Sequence, residues 1–192
     1  MKKDLNVISE DLGERSVQFT ISKTVLDRDG DMLIAEGVDF TNYMKNPVFL
    51  SFHNSREFPL GKVTKFWVDG DSVKAIVYFP TIEELASKPE YASEHAKLVD
   101  FTYHCYKMGM LNAVSVGFIP VEYTENKNGG YVITKWELLE FSAVAVPANQ
   151  DAIAEAVKSF GLDKSVVKDF LTTEKNSLVE LPDWTIELPD AE

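Results

Sequence analysis

Three side chains of the kinds that make up a nucleophile, a base and an orienting acid stand in three separate apolar segments. Ser115 lies in "LNAVSVGF", His53 closes "VFLSFH", and Glu140 lies in "WELLEFSAVAVPAN". A serine attacks a carbonyl when a base takes its proton, and the base needs a third group to hold its tautomer. Each residue also has a plainer reading. Ser115 can be a solvent-facing strand serine, His53 a partly exposed structural histidine, and Glu140 half of a salt bridge to one of 19 Lys and Arg. Glu140 sits in a strongly apolar run, where an unpaired carboxylate is costly and a histidine partner would serve. The Ser115 segment lacks the first glycine of G-x-S-x-G, so it is not a nucleophile elbow. Gly117 follows on the Ser115 face, where a glycine weakens a strand unless something must approach the backbone.

Other candidates fall to simpler explanations. "DRDGD" (Asp27–Asp31) opens like a calcium loop, but its sixth and twelfth positions are Met32 and Val38, so it reads as a polar turn. Cys105 falls on an apolar helical stripe with His95, Leu98, Phe101 and Met108, where a free cysteine is a small hydrophobe. His104 adjoins it but points about 100° away. No cofactor or metal is expected.

The elements that must position the three residues are mostly strands. Residues 16–25 alternate, and 48–53 form a short apolar strand. Asp69-Gly70-Asp71 joins two alternating runs as a hairpin, as does "ENKNGG" between 111–124 and 130–146. Residues 81–109 have helical character, with a break at Pro89 and a stop at Gly109. Asp151 can cap a helix over 151–160, and a second helix is expected over 163–171. Strands and helices do not alternate strictly, which disfavours a doubly wound parallel sheet.

The 192 residues carry a net charge of −12 and 45 % hydrophobic residues. That suffices for a sizeable core, and clustered positive charge for nucleic acid is lacking. No run of 18 apolar residues exists and the N-terminal stretch has no apolar signal core, so neither membrane nor secretion is expected. A single cysteine excludes an internal disulfide.

Taken together, "VLDRDGDML…GVDFTNYMKNPVFLSFHNSREFPLGKV", "LNAVSVGFIPVEY" and "WELLEFSAVAVPANQDA" resemble the prohead (capsid maturation) serine proteases of tailed bacteriophages, over roughly residues 16–160. The resemblance implies an α+β, β-rich fold with an antiparallel β-barrel core and surrounding helices, similar to the herpesvirus assemblins. By composition the chain itself reads as a domain over 1–171 followed by an acidic, aperiodic tail over 172–192, expected to be mobile. The resemblance places the catalytic serine on Ser115, the histidine on His53 and the acid on Glu140, with Glu137 as the competitor for the third place. Gly117 would then leave room for substrate, and an oxyanion donor is expected after Gly61 or near Ser115, with Lys62 nearby. The implied activity is endopeptidic. Its substrates would be scaffold segments of the capsid protein and the enzyme itself. Its setting would be the procapsid in the host bacterial cytoplasm, as a homo-oligomer in one reading, without nucleic acid or membrane as partner. A non-enzymatic phage structural or scaffolding protein on the same barrel is the alternative.

Overall fold

The computed structural model of the chain describes residues 12–86, 93–127 and 129–157. The helix expected over 163–171 and the acidic segment from Thr172 onward lie outside the described residues.

Alternating apolar residues build most of the sheet. β1 (Ser16–Lys23) buries Val17, Phe19 and Ile21, and pairs antiparallel with β6 (Ser72–Tyr78). β5 (Gly61–Asp69) forms the expected hairpin with β6, turning at Gly70, whose φ of 60° suits a residue without Cβ. β7 (Val114–Glu125) and β8 (Tyr131–Ala143) form the second hairpin, with Gly129 and Gly130 at positive φ. β4 (Val48–Ser51) pairs antiparallel with β5 and parallel with β8. Two-residue strands β2 (Met32–Leu33) and β3 (Val38–Asp39) also run parallel to β8.

The result is one mixed nine-stranded sheet of order β2-β8-β4-β5-β6-β1-β9, with β3 and β7 also on β8. The closed antiparallel barrel expected from the sequence is not found among the described residues: the path ends at β2 and β9, and three strands meet β8 in parallel. β9 (Ala154–Val157) is itself a correction. A helix is expected over 151–160, but this segment pairs antiparallel with β1. Alanine-rich local propensity yields here to a free strand edge, and tertiary pairing outweighs differences of a few tenths of a kcal/mol per residue (roughly, on helix scales).

Two helices follow the second hairpin strand. α1 (Ile82–Leu85) opens with a capping box between Thr81 and Glu84. α2 (Glu94–Met108) is capped by the Ser93 side chain and ends at Gly109 in the left-handed conformation. The expected helical period holds but its phase differs. The buried face carries Ala96, Val99, Thr102, Tyr103, Cys105 and Tyr106, while Leu98, Phe101 and Met108 face outward. Arg15 ties this helix to the sheet: its guanidinium pairs with Asp100 at 2.7 Å, donates to the Phe79 and Pro80 carbonyls, and lies over the Tyr103 ring. Among the described residues no helix is long and apolar enough to cross a membrane.

Aromatic rings fill the core between sheet and helix. Phe49 of β4 and Phe141 of β8 have centroids 4.9 Å apart, and Phe19, Phe79 and Tyr106 surround them. Phe49 and Phe141 are also register partners. Truncating either to alanine would cost about 3–5 kcal/mol. Their packing fixes β4 against β8, and with it the two strands that carry His53 and Glu140.

Candidate active site

Phe141 points into the core, so its neighbours Glu140 and Ser142 project from the other face of β8. In the register of the hairpin, Ser142 lies opposite Ser115, and Glu140 opposite Gly117. Directly opposed residues put their side chains on the same face. Ser115, Gly117, Glu140 and Ser142 therefore form one patch across two strands.

The third strand brings the histidine. After β4 the chain turns through two consecutive residues in the left-handed region, Phe52 at φ 48° and His53 at φ 58°. Neither is glycine, and each such residue costs roughly 1–2 kcal/mol. The turn is held by two bonds to β8: the Phe52 N–H donates to the Ala143 carbonyl at 3.0 Å, and the His53 N–H donates to Ser142 Oγ at 3.0 Å. This geometry folds the imidazole back over β8. His53 Nδ1 lies 2.6 Å from Glu140 Oε1. The second carboxylate oxygen, Oε2, accepts the Ser142 hydroxyl proton at 2.6 Å. Glu140 is mostly covered, with 16 % of its side chain exposed, against 43 % for His53. A carboxylate at Nδ1 places the proton there and leaves the Nε2 lone pair free to accept another.

The three expected residues thus come from two paired strands and the turn after a third, and two of them are joined directly. Ser115 makes no hydrogen bond to His53 among the described residues; it lies one cross-strand step from Ser142, which holds the His53 main chain.

Gly117 has a different role from the one expected. A Cβ built there would lie 2.4 Å from Glu140 Oε1, 3.2 Å from its Cδ and 3.3 Å from its Cγ. The missing side chain makes room for the carboxylate rather than for substrate.

Glu137 is also displaced from its expected position. Simple alternation puts it on the face opposite Glu140. The register shifts between Gly117/Glu140 and Phe118/Leu138, so β8 carries a bulge at Leu139. Trp136 and Leu138 before the bulge, and Phe141 and Ala143 after it, all point inward. Glu137 and Glu140 consequently share the outer face. Glu137 accepts a bond from Asn42 Nδ2 at 2.8 Å and not from His53.

Both glutamates and His53 line a groove of about 600 Å³ that also includes Asn42, Tyr43, Leu50 and Pro59. Tyr43 is buried and donates to the Val48 carbonyl. Burial, with a further push from the Glu140 charge, drives its hydroxyl far above the usual phenol range, so it stays neutral. A second groove of about 470 Å³, lined by Lys62, Tyr78, Leu85 and Val99, shares Asn46, Val48 and Pro59 with the first. Lys62 is exposed there. Gly61 is explained by packing, since a Cβ would lie 2.7 Å from the Tyr78 carbonyl oxygen.

The remaining candidates are structural. Cys105 is buried, and desolvation raises its thiol above the usual range. His95 bonds the Pro59 carbonyl at 3.0 Å through Nε2, and His104 lies 3.6 Å from Asp100. Asp27 organises its turn by accepting the N–H groups of Asp29 and Asp31. Ser142 is the residue to which sequence reasoning gives no role; its signal is that it stands two positions from Glu140 on the same face.

Residues 94–165 match the family described as the caudovirus prohead serine proteases. The chain is 33 % identical over 151 residues to the "Prohead protease" of Escherichia phage T5, covering 76 % of this chain and 62 % of the relative. It is 29 % identical over 157 residues to the "Capsid polyprotein" of Pseudomonas phage PAJU2, covering 81 % of this chain and 22 % of the relative. The chain therefore spans less than two thirds of the length of either relative. No solved structure matches it.

Proposed function

We propose, from the match to the caudovirus prohead serine proteases, that this chain is a serine endopeptidase of phage procapsid maturation. Ser115 Oγ attacks the scissile carbonyl carbon as His53 Nε2 takes its proton. Glu140 holds the imidazole by Nδ1 and stabilises the imidazolium. The tetrahedral intermediate collapses as Nε2–H protonates the leaving amine, leaving an acyl group on Ser115. Water then attacks the ester carbonyl, giving its proton to Nε2, and Ser115 departs with a proton returned from the imidazolium. The groove of about 600 Å³ beside His53 is where the substrate chain would lie. Its substrates are scaffold segments of the capsid precursor and the enzyme itself, within the procapsid; one relative bears the name of a capsid polyprotein.

The observation that carries this reading is the 2.6 Å hydrogen bond between His53 Nδ1 and Glu140 Oε1, one strand from Ser115. A salt bridge serving stability alone has no need of a serine beside it across the hairpin. The test is incubation of the full chain with its cognate capsid precursor. Wild type yields defined fragments, while Ser115→Ala and His53→Ala leave the precursor intact. Equal fragmentation by Ser115→Ala refutes the serine mechanism, and absence of fragments with every variant favours a structural role.

A further inference from the structure

We infer that Ser142 is a positioning residue for the proposed reaction: it locks Glu140 and the His53 main chain into one ring of hydrogen bonds. The ring starts at the His53 N–H, which donates to Ser142 Oγ at 3.0 Å. The same hydroxyl donates its proton to Glu140 Oε2 at 2.6 Å. Glu140 Oε1 returns to the His53 ring at Nδ1, again at 2.6 Å. A hydroxyl has one proton to give, and here it is given to the carboxylate while a lone pair takes the main-chain proton. Main chain and imidazole of one residue are thus fixed through two side chains of β8.

Three features make this more than incidental strand chemistry. Ser142 has no exposed surface, so its hydroxyl has no water to bond instead. Another fully buried strand serine, Ser22, has a hydroxyl without a partner, so burial alone does not produce such a ring. The imidazole is substantially exposed on a turn with two left-handed residues, and Glu140 is its hydrogen-bonded partner. A carboxylate with one oxygen bound can rotate; with both bound it cannot. Removing the hydroxyl leaves the His53 N–H unpaired and releases Oε2, so both ends of the ring open together.

This inference rests on the proposed function, and two readouts separate them. The first is steady-state cleavage of the capsid precursor. Ser142→Ala should lower kcat on the order of 10- to 100-fold, the range of a charge-assisted hydrogen bond, with KM little changed. Ser142→Thr, which keeps the hydroxyl, should restore most of it. In a Glu140→Gln background the same alanine should cause less than a threefold further fall, because its effect runs through the carboxylate. The second readout needs no activity: the downfield proton resonance of His53 Nδ1–H. It should be sharp in wild type and Ser142→Thr, and broadened or lost in Ser142→Ala. Ser142→Cys, with a weaker donor of similar size, should match the alanine and serves if the alanine variant does not fold. An unchanged resonance in the alanine or cysteine variant overturns the inference, as does full additivity with Glu140→Gln. If wild type cleaves nothing yet the resonance behaves as stated, the ring stands and the proposed function fails.

Discussion

Replacing Gly117 by alanine should separate stability from activity, and the structure gives the size of each effect. The new Cβ would lie 2.4 Å from Glu140 Oε1. An ordinary contact begins near 3.4 Å, so the carboxylate must retreat by about 1 Å. The atom in the way is the end of a flexible side chain, so the strand itself need not move. Gly117 does not have a positive φ, and alanine fits its strand. Alanine should even help the fold by roughly 0.5–1 kcal/mol through lower chain entropy. A 1 Å retreat, however, stretches the 2.6 Å bond to His53 Nδ1 beyond hydrogen-bond range. Losing a charge-assisted bond of about 1.5–3 kcal/mol corresponds to roughly a 10- to 150-fold fall in kcat. The assays are thermal unfolding and precursor cleavage on the same preparation. The expected pair of results is a melting temperature close to wild type, the entropy gain partly offsetting the lost bond, with kcat lowered at least tenfold. Wild-type kcat in a well-folded Gly117→Ala protein would refute the idea that this glycine serves the Glu140–His53 contact.

Other outcomes follow from the same geometry. Glu140→Gln should slow cleavage while Glu137→Gln leaves it within about threefold, because Glu137 bonds Asn42 rather than His53; the reverse order would exchange their roles. Thiol reagents applied to the folded protein should leave cleavage intact, since Cys105 is buried and its thiol is held in the unreactive form, and Cys105→Ala should cost only stability. Glu155 anchors β9: its charge is opposed by desolvation, but bonds from Thr20, Lys74 and Gln18 outweigh this and keep its carboxyl below the usual range. A depressed folded-state value adds stability above the ordinary carboxylate range, and that stability is lost as pH falls through the depressed value. Glu155→Gln should therefore melt earlier than wild type at neutral pH, and thermal scans should show the gap closing under acid; a gap constant from neutral to strongly acidic pH would contradict the assignment.

Much of this architecture is legible in the sequence where one rule dominates. The hairpins at Gly70 and at Gly129-Gly130 follow from turn chemistry between alternating runs, and Gly109 ends its helix as a left-handed cap should. Legibility fails where two rules compete. In "WELLEF" apolar residues occupy both faces, so counting by twos misses the bulge at Leu139 and puts Glu137 on the wrong side. In α2 the most apolar side chains suggest the buried stripe, yet the core takes Tyr103 and Tyr106, which pack around Phe79 with Ala96 and Val99 on the same face. "IAEAV" reads as helix until β1 offers an edge. At the site, the three residue types were visible, but not the ring through Ser142, because a main-chain donor at a left-handed turn leaves no trace in residue identities. Gly117 showed that something comes close to the backbone; only the cross-strand register identifies it as Glu140.

The central claim is that Ser115 is a nucleophile activated by His53. The most direct measurement is the mass of the protein and its peptides after treatment with a fluorophosphonate, which phosphonylates an activated serine with loss of fluoride. One adduct per chain is expected, mapped to the peptide bearing Ser115. Ser115→Ala should acquire none, and His53→Ala should react slower by several orders of magnitude, on the order of the loss seen when a triad base is removed. Labelling elsewhere, or labelling of Ser115 at an equal rate without His53, would contradict the account.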